Sequence, residues 1–178
     1  MNKTYSARAI ANYFLEHRGK FKRKGPITQM KVHKLVYFAH GWHLALTEKP
    51  LIDETLQAWA YGPVVPSLSH EFKHFRNQDI TELALDLEPT EGIKFRVFVP
   101  AVSPDDQYTC DLLDRVIKVY GKFTALELSA MTHEPSSPWS RAREKNPGVK
   151  YVGITNERLR KYFKAKAAKN QETTSSAA

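Results

Sequence analysis

The stretch "TQMKVHKLVYFAHGWHLAL", residues 28–46, constrains the fold more than any other. It is long enough for roughly five helical turns and is broken by "TEKPLID" at 47–53. At about 100° per residue, Val32, Leu35, Phe38, Ala39, Trp42 and Leu46 form one apolar face. The opposite side carries Met30, His33, Tyr37, His40 and Leu44. A helix that is apolar on two sides needs neighbours on both. This segment is therefore expected to be the buried centre of the fold.

The rest of the chain supplies those neighbours. Ala7, Ile10, Ala11, Phe14 and Leu15 make a helical stripe that Ser6 or Thr4 can cap, with Gly19 at its end. Ser103-Pro104-Asp105-Asp106 reads as a helix start with Ser103 as cap, ahead of a stripe from Leu112 to Tyr120. Thr124-x-x-Glu127 is a capping box, Ser137-Pro138 opens a short helix, and Thr155 opens the last one. "TLQAWAYG" (55–62) and "IKFRVFV" (93–99) alternate as strands, with Ile93, Phe95, Val97 and Val99 on one side. The two are expected to pair antiparallel. The fold class is thus α+β, predominantly α-helical: a central buried helix surrounded by helices, with a small antiparallel β pair. Residues 1–170 form a single domain, and the polar run 171–178 reads as a disordered tail.

No apolar run approaches the roughly 20 residues a membrane span needs, and no membrane partner is expected. "MNKTYSARAI" lacks the apolar core of a signal peptide, and the single Cys110 fits a reducing compartment, so a cytoplasmic location is expected. The formal net charge is +8. It concentrates in "RGKFKRKG" (18–25), with Lys20, Lys22, Arg23 and Lys24, and in "RLRKYFKAKAAKN" (158–170). Both clusters suit an acidic protein face. A basic nucleic-acid binder is the alternative, but no recognition-helix signature supports it.

"SHEFKHF" (69–75) holds His70-Glu71-x-x-His74, the spacing that places two zinc ligands on one helical face with a Glu to activate water. A zinc-dependent hydrolase is the reading it suggests, and three features oppose that reading. The metzincin extension of the motif would put Gly at 77 and a third ligand, His, at 80, where the chain has Asn77 and Ile80. Leu68, Phe72 and Phe75 define the buried side, which turns His70 and His74 outward. Lys73 puts a cation inside the motif. His70, Glu71 and His74 are better placed to touch a protein partner. His33, Tyr37 and His40 share one face of the central helix and read as hydrogen-bonded interface residues rather than a metal pair. Cys110, near a helix start, has no base beside it in sequence. There is no G-x-S-x-G elbow, P-loop or dinucleotide fingerprint. No cofactor and no catalytic set are expected, which points to a binding protein.

Two blocks carry a resemblance. The first is "KLVYFAHGWHLALTEKPLIDETLQAWAYGPVVPSL", with Lys34, Leu35, Tyr37, Ala39, Pro50, Leu51, Glu54, Ala58, Trp59, Gly62, Pro63, Val64 and Pro66, and with Trp42 on the same helix. The second is "YGKFTALELSAMTHEPSSPWSRAR", with Tyr120, Gly121, Leu128, Ser129, Thr132, His133, Pro138 and Trp139. Together they resemble the Panacea domain family, the antitoxin domain of SocA-like and phage-associated GepA-like proteins. The resemblance implies an antitoxin that neutralises a toxin encoded nearby by direct contact. Its SocA-like branch implies a proteolytic adaptor that delivers the toxin to a Clp-type protease. The motif residues themselves read as structural: Gly62-Pro63 as a sharp turn out of the strand, Pro66 in the first turn of a helix, and Trp59 and Trp139 as ties around the central helix.

Overall fold

The computed structural model describes residues 3–22, 25–91 and 93–175. Arg23 and Lys24 lie outside the described residues. At the centre is α2, Gln29–Thr47. Thr28 caps it, its hydroxyl accepting from the Lys31 N–H, and Glu48 ends it with φ 62°. Every residue from Lys31 to Gly41 is buried. Around α2 stand α1 (Ala7–Glu16), α3 (Pro66–Phe72), α4 (Gln107–Tyr120), α5 (Ala125–Thr132) and α7 (Asn156–Ser175). A short α6 (Pro138–Lys145) packs on α5, α7 and the sheet. The two-sided apolar pattern thus has its neighbours. Leu46, assigned to the buried face, is exposed, because α2 emerges from its neighbours after Leu44.

Two small antiparallel sheets complete the α+β fold. β1 (Leu56–Trp59) lies between β2 (Gly62–Val64) and β5 (Val152–Ile154). β3 (Asp86–Pro89) pairs with β4 (Phe95–Phe98). The two alternating segments both form strands, but they do not pair with each other, since each finds a nearer partner in sequence. "TLQAWAYG" is not one strand. The chain turns at Ala60-Tyr61 and returns from Gly62, so the reversal comes before Gly62-Pro63 and not after it.

The helix starts follow capping chemistry with one shift. Ser6, Thr124 with its reciprocal Glu127, and Ser137 cap α1, α5 and α6. Helix α4 starts three residues later than the Ser103 reading. Asp106 is its cap, accepting from the Thr109 N–H and also from the Tyr5 hydroxyl at 2.8 Å. The Asp106 carboxylate is therefore both a cap and a tie to the N-terminal segment. Helix α7 runs on to Ser175, through the first residues of the segment read as a disordered tail.

Helix α7 packs against α2 at Gly41, where an added Cβ would lie 2.1 Å from the Phe163 ring. Phe163 is itself ringed by Tyr37, Phe38, Trp42 and Tyr162. Glycine in a helix interior costs about 1 kcal/mol relative to alanine, so propensity alone favours Gly41→Ala. Overpacking a full core costs about 1–3 kcal/mol or more. Gly41→Ala is expected to lower stability by about 2 kcal/mol in denaturant titration. A gain in stability would show that α2 and α7 do not meet this closely.

Candidate functional site

The motif residues converge on one buried crossing between α2, the β1–β2 hairpin and α5. The Lys34 ammonium donates to the Pro63 carbonyl at 3.1 Å. Gly62, at φ 108°, passes so close that a Cβ would meet Lys34 Cε at 2.7 Å and Thr132 Oγ1 at 2.8 Å. Only glycine combines that backbone angle with that approach. The Ser129 hydroxyl donates to the Tyr61 carbonyl and the Trp139 indole N–H to the Trp59 carbonyl, at 2.8 and 2.7 Å. His133 stacks on Trp139 with ring centres 3.8 Å apart. Leu35, Val64 and Pro138 are buried alongside, and Pro66 is the first residue of α3. The Trp42 indole donates to the Tyr120 hydroxyl at 2.8 Å. These contacts make the motif a scaffold.

Several ionisable groups in this scaffold are held neutral or nearly so. Burial lowers the Lys34 ammonium to about 7, and no carboxylate pairs with it among the described residues. Burial, with Lys34 beside it, lowers His33 to about 3. Burial lowers His40 to about 4, against a hydrogen bond to the Asn156 side-chain oxygen that opposes the shift. His33 Nδ1 accepts from the Val65 N–H at 3.4 Å. His40 Nδ1 accepts from the Ile52 N–H at 3.3 Å, and its Nε2 meets Asn156 Oδ1 at 2.9 Å. Each histidine thus fastens α2 to a neighbouring segment. The Tyr37 hydroxyl and His133 Nε2 are buried without a hydrogen-bond partner.

The His70-Glu71-x-x-His74 stretch does not form one helical face. Helix α3 ends at Phe72, and residues 73–75 form a 3-10 turn. His70 and His74 are exposed, and Leu68 and Phe72 are buried. Glu71 is engaged elsewhere: Arg8 Nε donates to it at 3.2 Å and the Leu85 N–H at 3.3 Å. Among the described residues, no group of three His, Cys, Asp or Glu side chains could hold a metal ion. In the basic loop, Lys20 pairs with Asp114 at 2.7 Å and Lys22 is exposed. Burial, with Asp106 and Asp114 nearby, pushes the Cys110 thiol up, away from a reactive thiolate.

Two further surfaces stand out, the first missed in sequence and the second read there only as the basic run 158–170. The first is the β3–β4 hairpin. One face carries Asp86, Glu88, Arg96 and the half-buried Phe98, with Asp86 near Arg8 of α1. The apolar face points outward. Phe95 is 64%, Val97 59% and Leu87 60% exposed, and Leu85, Ile93 and Val99 extend the patch. Buried Asn12 holds both legs of the hairpin. Its amide donates to the Ala84 and Pro100 carbonyls at 3.0 and 2.9 Å and accepts from the Ala84 N–H at 2.8 Å. The second surface is a basic groove beside α7.

Residues 32–140, from α2 into α6, match the model of a family described as "Antitoxin SocA-like, Panacea domain". The chain belongs to this family. It is 31% identical over 133 residues to the antitoxin SocA of Caulobacter vibrioides (strain NA1000 / CB15N), covering 75% of this chain and 68% of that protein. No solved structure matches the chain. The match includes the Panacea scaffold and the β3–β4 hairpin, and it excludes α1 and α7.

Two pH effects follow from the buried groups. The folded values of His33 and His40 lie below the ordinary 6.5. Between the folded and unfolded values the unfolded chain binds more protons, so stability is full above pH 6.5 and falls with acid. Each ring contributes at most about 1.4 kcal/mol per pH unit. The thermal midpoint is expected to drop steeply from pH 6.5 to 4.5, and His40→Gln to flatten the slope. A flat wild-type profile over that range would contradict neutral, buried rings. Lys34 behaves in the same sense at higher pH. Its folded value of about 7 lies below its unfolded 10.5, so its contribution to stability rises with pH from about 7 to about 10.5. Lys34→Met is expected to abolish that rise and to be at least as stable as wild type at pH 6, by denaturant midpoint.

Proposed function

We propose that this protein is the antitoxin of a toxin–antitoxin pair and neutralises its cognate toxin by direct protein–protein binding. Family membership carries the reading. It acts as a binding protein in the cytoplasm, without catalysis. The buried motif supports this, because Lys34, His33 and His40 are spent on fastening α2 to Pro63, Val65, Ile52 and Asn156.

The outward face of β3–β4 is the surface best suited to the toxin. Interface cores are apolar and lose water on binding, and a contiguous apolar patch on a folded chain marks a contact site. Asn12 and Glu71 fix the hairpin in place, so little ordering entropy opposes binding. The side that approaches the body carries Asp86 and the half-buried Phe98, and the side of Leu87, Phe95 and Val97 is left in solvent. A toxin covering the apolar side accounts for that exposure.

Co-expression with the neighbouring open reading frame tests the reading. That frame is expected to be toxic alone, to be rescued by this chain, and to co-purify with it. Phe95→Asp/Val97→Asp is expected to keep the wild-type fold within about 0.5 kcal/mol, since both side chains are exposed. The same variant is expected to lose rescue. Neutralisation with purified components alone supports direct occlusion. Rescue that occurs only in cells with a Clp-type protease would assign the adaptor role instead.

A further inference from the structure

A groove of about 630 Å³ lies between α7 and the turn that joins α5 to α6. Arg158, Lys161, Lys166 and Lys169 line it from α7 and Arg141 from α6, with Glu134 as the one acid. The α7 cations follow helical spacing along one side. From Arg158 to Lys169 the helix rises roughly 16 Å. About five residues of extended chain cover that length, at roughly 3.3 Å each. The cations are thus laid out as a line rather than gathered around a point.

Glu134 already shows what the groove takes. Its carboxylate accepts from the Tyr162 hydroxyl at 2.8 Å and from Lys166 at 3.1 Å. Burial alone would raise this carboxyl, but Tyr162 and Lys166 together hold it below its usual range. On the facing side Ser136 is held left-handed at φ 67°, and its hydroxyl accepts from Arg141 at 3.3 Å. That contact sets a guanidinium at the lip. The pairing of Lys161 with Glu157 is solvent-exposed and so exchanges readily for another carboxylate.

We propose that this groove binds an acidic, extended segment of a partner protein. On the antitoxin reading, on which the partner's identity rests, that protein is the toxin. Glu134 occupies one carboxylate position from within, and the segment supplies acids to Arg141, Arg158 and Lys161. Complementary charge of this kind raises the association rate and orients the encounter.

The test uses the full chain and a fluorescein-labelled hexaglutamate peptide, followed by anisotropy. Saturable binding in 50 mM salt is expected, falling at least tenfold in 300 mM salt. Arg158→Glu/Lys161→Glu/Lys169→Glu is expected to lose binding at least tenfold, and Glu134→Gln to bind severalfold tighter. Lys94→Glu/Lys118→Glu/Lys145→Glu changes net charge equally away from the groove and is expected to bind like wild type. Thermal melts establish that each variant is folded. No binding at 50 mM salt, equal losses in the two triple variants, or tighter binding of a dT12 oligonucleotide at the same residues would overturn the proposal. With the toxin in place of the peptide, the groove variant is expected to dissociate faster than wild type. A wild-type chain that binds the peptide but never the toxin would sink the antitoxin reading and leave the groove standing.

Discussion

The burial of α2 on every side is the condition the rest of the structure meets. From Lys31 to Gly41 every residue is buried, yet the run includes His33, Lys34, Tyr37 and His40. A buried polar group without a partner costs about 1–3 kcal/mol, and the neighbours of α2 supply partners to His33, Lys34 and His40, while the Tyr37 hydroxyl has none among the described residues. Val65 donates to His33, Ile52 to His40, and Pro63 accepts from Lys34. Each contact reaches a different stretch of the loop and hairpin that follow α2. The segment after the helix is thus fastened to it at three heights. The hydrophobic effect brings these elements together without direction; the polar contacts decide their register.

This explains why the motif shared with the Panacea family is so spread along the chain and yet so compact in space. Gly62 is required because Lys34 and Thr132 occupy the room a side chain would need. Trp139 is required because its indole satisfies the Trp59 carbonyl at the hairpin turn. A motif of this kind identifies a fold and leaves the outer surface free to change.

Much of the scaffold was legible because its signals are local or periodic. The two-sided pattern of residues 28–46 placed α2 at the centre, and the Thr124–Glu127 box and Ser137-Pro138 marked helix starts. Ser103 was the wrong cap because Asp106 has a second role: it accepts from Tyr5, about a hundred positions away, and that long-range bond outweighs the local Ser-Pro signal. Strand pairing failed for a similar reason. Alternation shows that a segment is extended and leaves its partner open. The closeness of Asp86–Pro89 to Phe95–Phe98 decided one pair, and β5, almost a hundred residues after β1, joined the other sheet. Asn12 and Glu71 were illegible as hairpin ties, since nothing local links them to residues 84–100.

The hairpin also shows what an alternating pattern means. Ile93, Phe95, Val97 and Val99 carry the signature of a strand with one face covered, and the fold leaves that face in solvent, with Asp86 and Phe98 of the other face partly buried. A two-stranded ribbon is marginal by itself, and this one is held by side chains at its base rather than by its apolar surface. The pattern is the same whether the covering layer comes from the same chain or from another one. What separates the two cases is how the hairpin is held: Asp86 reaches Arg8, and Asn12 and Glu71 bind its base, while no layer among the described residues covers Leu87, Phe95 and Val97. An alternation whose apolar side the fold turns outward is therefore better understood as half of an interface than as a failed core. The hydrophobic segments of a binding protein must be sorted by the fold before they can be assigned to its interior.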